Sequence, residues 1–195
     1  TVLGVAKGSG MISPDMATML AYVFTDIPIE LDDFKELHRE VCNDTFNSIT
    51  VDGEMSTNDS FIGICAVSEA RKNSSEMISK SDNYWSIICQ SYEKVCDDLA
   101  AKIVEDGEGA TKIVELKVEQ AFSSQDADRV ARGVANSPLV KTAIFAADPN
   151  LGRILSAIGA CDISRFDESK ISIQINDYVV IQNGTLVKGY EEKIA

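Results

Sequence analysis

Histidine is almost missing from this sequence: His38 is the only one among 195 residues. One imidazole excludes multi-histidine zinc sites and His-based triads unless further residues come from elsewhere. Set among Glu36, Arg39 and Glu40, it reads as an exposed helix residue. Positive charge is scarce as well. Eighteen Lys+Arg against 31 Asp+Glu give a net charge of −13 and a pI near 4.4, which argues against nucleic acid as a partner, because phosphates need a basic patch. No apolar run approaches the roughly 20 residues that span a bilayer, and the opening Thr1-Val2-Leu3-Gly4 lacks the basic-then-apolar order of a secretory signal. A cytoplasmic or organellar protein with no membrane partner is expected. The five cysteines are odd in number, spread out and without a CxxC pair, so reduced thiols buried as small hydrophobes are expected. An initiator Met is also missing, and a fragment or processed piece of a longer protein is expected.

What is there suffices for a core. A chain with 45% hydrophobic and 25% charged residues predicts one large domain, or one with a small appendage. Strand patterns run over residues 1–6, 19–25 and 61–68, and the alternation in 113–119 predicts a half-exposed strand. Residues 139–146 form another apolar strand candidate, and the tail 171–187 alternates around the hairpin signal Asn183-Gly184. Helical spacing marks 31–49, with Asp32 and Asp33 at its start, and 86–106, with Gly107 as its stop. Shorter helices are predicted over 124–134 and 154–159, the latter fed by the turn from Asp148 to Arg153, whose Asp and Asn are good caps. The polar stretch 71–82 reads as a loop or frayed helix end. Strands and helices mix without repeats, so the fold class is α/β in the broad sense, an α+β layered sandwich of mixed sheets flanked by helices.

The chemistry concentrates near the start. Lys7-Gly8-Ser9-Gly10-Met11-Ile12 is followed closely by Ala17-Thr18-Met19-Leu20, which sets a lysine and a threonine hydroxyl on one glycine-bearing connection. A threonine hydroxyl is a poor nucleophile until a base takes its proton. The α-amino group freed by cutting between Ala17 and Thr18 is such a base, since it titrates near pH ~7.7–8.0. The residues alone leave a plainer reading open, in which Gly8 and Gly10 turn a surface loop and Thr18 caps or enters an apolar element. Glu108, between Gly107 and Gly109, is either a solvated turn residue or a carboxylate held close to a ligand. Asp52, Glu54, Asn58 and Asp59 supply oxygens in one loop, but their spacing departs from the calcium-loop pattern, so no metal is expected.

Seven segments, in order, carry a resemblance. They are Lys7-Gly8-Ser9-Gly10-Met11-Ile12, Ala17-Thr18-Met19-Leu20, Thr25-Asp26, Thr50-Val51-Asp52-Gly53, Ser56-Thr57-Asn58-Asp59, Asp106-Gly107-Glu108-Gly109-Ala110-Thr111-Lys112, and Asp148-Pro149-Asn150 with Gly152-Arg153-Ile154-Leu155. Over nearly the whole chain they resemble the ornithine acetyltransferase family, the bifunctional glutamate N-acetyltransferases of the cyclic arginine pathway. The resemblance implies that family's fold and a precursor that cuts itself between Ala17 and Thr18. Residues 1–17 would then end the α-chain region, and residues 18–195 would be the catalytic β-chain region without its C-terminal segment. Thr18 would take the acetyl group of N2-acetyl-L-ornithine and pass it to L-glutamate in a ping-pong scheme, with Lys7, Thr18 and Glu108 binding substrate. Asp52, Asn58 and Asp59 match motif positions and are assigned to site architecture.

The resemblance further implies no bound cofactor, acetyl-CoA as a candidate co-substrate, a heterotetramer of two α and two β chains, and a cytoplasmic or, in a eukaryote, mitochondrial-matrix location. It puts the family's oxyanion-stabilising Thr-Gly pair upstream of Thr1, and its C-terminal Asn and Ser/Thr contacts beyond Ala195. A preorganised oxyanion hole contributes about 3 kcal/mol or more to acyl transfer, so the 195-residue piece alone is expected to be inactive and a complete precursor active. Leu151 stands where the family commonly has Trp. Two other readings use the same residues: an N-terminal-nucleophile aminopeptidase or amidohydrolase that gives the acyl group to water, and a catalytically silent binding module.

Overall fold

Val2, Gly4 and Ala6 alternate with Leu3, Val5 and Lys7, and in the computed structural model, which describes residues 1–13, 19–67 and 77–189, this run is strand β1 (Val2–Lys7). It pairs antiparallel with β2 (Leu20–Thr25), from Val2↔Thr25 to Lys7↔Leu20. β2 in turn pairs in parallel with β3 (Ser60–Cys65), in the order β1-β2-β3. A parallel pair needs a crossover, and α1 (Leu31–Asp44) lies in it. The register sets Ala6, Ala21 and Phe61 in one row, and Gly4, Val23 and Gly63 in another. This face meets α1 and α2 (Trp85–Glu105), whose Phe34, Leu37, Val41, Ile88, Tyr92, Cys96, Ala100 and Ile103 form the core with Ala21 and Val23.

The described chain groups into two compact units, residues 1–113 and 114–195, where composition suggested one domain with or without an appendage. In the second, α3 (Ser124–Ala135), α4 (Pro138–Phe145) and α5 (Leu151–Gly159) accompany an antiparallel meander of β4 (Ile173–Ile175), β5 (Tyr178–Gln182) and β6 (Thr185–Leu186). Leu151, Val180 and Ile181 are its buried cluster. Asn183-Gly184 makes the predicted two-residue hairpin, closed by the pair Gln182↔Thr185.

Four expectations are corrected. The apolar run 139–146 is helix α4, because Ser137 caps it through the Val140 N–H and Pro138 occupies its first turn. Residues 113–119 form no strand: the segment is exposed, no described strand pairs with it, and the boundary between the two units falls inside it. His38 is half-buried. Its ring stacks on Phe61 with centroids 4.0 Å apart. Nδ1 lies 2.8 Å from the Tyr92 hydroxyl and Nε2 3.2 Å from the Phe61 carbonyl. The helix predicted to residue 49 stops at Asp44, where buried Thr45 turns its hydroxyl back to the Val41 carbonyl and a 3-10 turn, Phe46–Ser48, follows. Of the five free thiols only Cys96 is fully buried, and burial pushes it up to about 12; the others are half-buried. Part of the polar stretch 71–82 lies outside the described residues, and its remainder carries a parallel bridge from Ile78 to Ile29. Among the described residues no helix is long and apolar enough to cross a membrane.

Candidate active site

β1 stops at Lys7 because Gly8, Ser9 and Gly10 carry the chain off the sheet, and the loop from Thr50 to Asp59 receives it. The Ile12 carbonyl accepts from the Val51 N–H at 2.7 Å and the Thr50 hydroxyl at 3.1 Å. Asp52 answers with both oxygens, accepting the Met11 N–H at 2.7 Å and the Ile12 N–H at 3.1 Å. The same loop grips the chain again on the far side of residues 14–18. Asp59 Oδ1 accepts the Met19 N–H at 2.8 Å, and the Ser60 N–H donates to the Met19 carbonyl at 3.0 Å. One loop therefore fixes both flanks of the segment that holds the Ala17–Thr18 bond. Ala17 and Thr18 themselves lie outside the described residues.

Glu108 closes the arrangement from the end of α2. Its N–H donates to the Ser9 carbonyl at 2.7 Å, and the Ser9 hydroxyl donates to the Asp106 carbonyl at 3.2 Å. Gly107 is buried beneath it, where an added Cβ would press on Val51 at 3.1 Å. The Glu108 carboxylate stands over the backbone of Gly10: a Cβ there would lie 2.9 Å from Glu108 Oε2 and 3.9 Å from Asp52 Oδ2. A side chain at residue 10 would have to displace the Glu108 carboxylate from this position, and two carboxylates facing the loop make a place suited to a cationic amino group.

Lys7 supplies the opposite charge at the edge of the same loop. Burial pushes the Asp59 carboxyl above its ordinary value, while the Met19 N–H and the Lys7 charge pull it back. Asp59 Oδ2 is buried and has no hydrogen-bond partner among the described residues. The structure thus gathers Lys7, Glu108, Asp52 and Asp59 around the glycine loop. Asn58 is exposed and bonds locally, its N–H on the Ser56 hydroxyl. Among the described residues no group of three or more His, Cys, Asp or Glu could hold a metal. Sequence reasoning missed the grip of Asp52 and Asp59. Its signal was there in two carboxylates bracketing a glycine-containing loop just before a strand.

The Asp148-to-Arg153 motif serves the second unit. Asn150 Oδ1 caps α5 by accepting the Arg153 N–H, and the Arg153 guanidinium donates to the Leu139 carbonyl and the Thr142 hydroxyl at 3.0 and 2.9 Å, tying α5 to α4. Leu151 is buried against the sheet of this unit.

Comparison with known proteins adds three findings. The sequence pattern of the ArgJ family matches residues 1–195. Among curated relatives, an arginine biosynthesis bifunctional protein ArgJ from Neisseria gonorrhoeae is 41% identical over 97% of this chain and 46% of its own length. One from Bacillus cereus is 44% identical over 94% of this chain and 44% of its own length. The chain therefore spans less than half the length of these relatives. The crystal structure of the arginine biosynthesis bifunctional protein ArgJ from Bacillus halodurans superposes with a TM-score of 0.76 at 35% identity, covering 89% of this chain and 79% of that one.

Proposed function

The chain belongs to the ArgJ family, and from that premise we propose that, within its full-length protein, it carries the acetyl-transfer centre linking N2-acetyl-L-ornithine to L-glutamate. The precursor cuts itself between Ala17 and Thr18, dividing the α-chain region from the β-chain region. The new α-amino group of Thr18 then takes the proton from the Thr18 hydroxyl, whose oxygen attacks the acetyl carbonyl. The amide C–N bond breaks, ornithine leaves with the proton on its amine, and an acetyl ester remains on Thr18. The amine of glutamate attacks that ester, the Thr18 oxygen leaves and is reprotonated, and N-acetylglutamate departs. Lys7 pairs with a substrate carboxylate and Glu108 with an amino group. Acetyl-CoA is a further donor in the same scheme, which needs no bound cofactor. The assembly is two α and two β chains in the cytoplasm.

The observation that carries this reading is the double grip of the Thr50-to-Asp59 loop on the two flanks of residues 14–18, beside Lys7 and with Glu108 over Gly10. The test uses the protein from the full reading frame. Intact mass and N-terminal sequencing should find a chain starting at Thr18, and Thr18→Ala should abolish both cleavage and transfer. Transfer retained by Thr18→Ala refutes the nucleophile. An acetyl-ornithine assay with and without glutamate separates transfer from hydrolysis, and release of acetate that ignores glutamate would replace this reading with the hydrolase.

A further inference from the structure

Three of the six arginines in the sequence stand in one place. In the second unit, α3, α4 and α5 border an open pocket of about 570 Å³, and Arg129, Arg132 and Arg153 line it. Arg129, Arg132 and Gly133 share one face of α3 by their spacing of three and four residues, and Arg153, Ser156 and Ala157 share one face of α5 in the same way. Helix faces turned toward other helices ordinarily carry apolar side chains. Three guanidiniums on one wall, in a chain of net charge −13, are a departure that packing does not call for.

Each guanidinium is anchored. Arg129 Nη1 donates to the Asp162 carbonyl at 2.9 Å. The segment carrying that carbonyl is pinned in turn, because buried Asp126 accepts the Ser164 N–H at 3.2 Å and the Ser164 hydroxyl at 3.3 Å through Oδ1. Arg132 Nε donates to Asp128 at 2.8 Å. Arg153 Nη1 donates to the Leu139 carbonyl and the Thr142 hydroxyl. For Arg129 and Arg153 every side-chain bond and ion pair leaves from Nη1, so Nη2 and Nε of both have no hydrogen-bond partner among the described residues. A guanidinium fixed at one nitrogen and open at the others is preorganised to receive an anion. Asp162 is the carboxylate among the lining residues, so three positive charges stand against one negative.

Arginine forks match the oxygens of carboxylates and phosphates. Three forks exceed what a carboxylate with two oxygens can engage, and they fit a phosphoryl group with its three terminal oxygens and up to two charges. A pocket of this size holds more than the phosphoryl group itself. The rest of its wall offers short apolar and hydroxyl contacts, from Leu139, Ala157, Ser137 and Ser156, and no aromatic face on which a base could stack. We propose that this pocket binds a small phosphate monoester without an aromatic ring, its phosphoryl group held by Arg129, Arg132 and Arg153. None of Lys7, Asp52, Asp59 and Glu108 lines it, and the inference is independent of the acetyl-transfer reading.

The test is calorimetric titration of the full-length protein with glycerol 3-phosphate, glycerol and succinate as probes. Glycerol 3-phosphate should bind at one site per copy of this chain, and more weakly as salt rises. Glycerol, which lacks the anion, and succinate, which lacks the phosphoryl group, should bind about tenfold more weakly or not at all. Losing one charge-assisted contact costs about tenfold, so Arg129→Gln should weaken glycerol 3-phosphate binding by about that factor. Arg153→Lys keeps the charge without the fork and should weaken it too. Melting curves show whether both variants fold. Arg153 ties α5 to α4, so if its variant does not fold, Arg129→Gln alone decides. A full-length protein that binds no glycerol 3-phosphate, that binds succinate as tightly, or that binds the ester equally well after Arg129→Gln overturns the inference.

Discussion

His38 stands one helical turn after Phe34 and one before Cys42, so its position on α1 turns it toward the sheet despite its charged neighbours. A carbonyl only accepts, so the 3.2 Å contact to the Phe61 carbonyl assigns the proton to Nε2, and Nδ1 then accepts from the Tyr92 hydroxyl at 2.8 Å. Burial lowers the pKa of His38, with the Phe61 bond opposing it. Between that lowered value and about 6.5, the unfolded imidazole binds a proton that the folded one does not. The contribution of His38 to stability is therefore present above about pH 6.5 and is lost as the pH falls below it. The melting temperature should drop on going from neutral to mildly acid buffer, and His38→Gln should flatten that dependence. An unchanged slope would assign the titration to another group. The charged residues around His38 in sequence concealed its role, because each of them occupies a different helix face.

At the scale of elements, local chemistry decided what periodicity left ambiguous. The run 139–146 is apolar enough for a buried strand, but Ser137 and Pro138 immediately before it are a helix start, and eight residues of helix result. Removing the cap tests this reading. Ser137→Ala should cost about 1 kcal/mol locally, seen as about fivefold faster hydrogen exchange at the Val140 amide; unchanged exchange would mean that packing alone holds the first turn. The stretch 113–119 shows the opposite failure. Its alternation is as regular as that of β1, yet a strand exists only with a neighbour to bond, and no described strand pairs with it. The long signals at β1, β2, α1 and α2 were legible because each has one apolar face and a capping or turn residue at its end. The candidate site was legible as motifs, since Lys7 and Glu108 stand beside glycines. Its scaffold was not, because the bonds from Asp52 and Asp59 each span about forty residues of sequence.

On the whole-molecule scale, the described helices of the first unit cover one face of its sheet. Ala21, Val23 and Gly63 face the helices, while the register sends Leu3, Val5 and Ile62 to the other face, where they are 65%, 57% and 41% exposed. Domains bury a sheet on both faces when both are apolar, and an exposed patch of this kind marks a surface that receives another layer. Lys7 lies on that outer face, in the row that ends at Leu20 and Ser60. A layer laid over Leu3 and Val5 would thus reach the edge of the candidate site, and the relatives contain more than half their length outside the part matched here. The 195-residue protein by itself should enhance the fluorescence of a hydrophobic dye. Leu3→Ser with Val5→Ser should remove most of that signal, and in the full-length protein the wild-type signal should already be absent. A full-length protein that binds the dye as strongly as the 195-residue one would show that this face stays open to solvent.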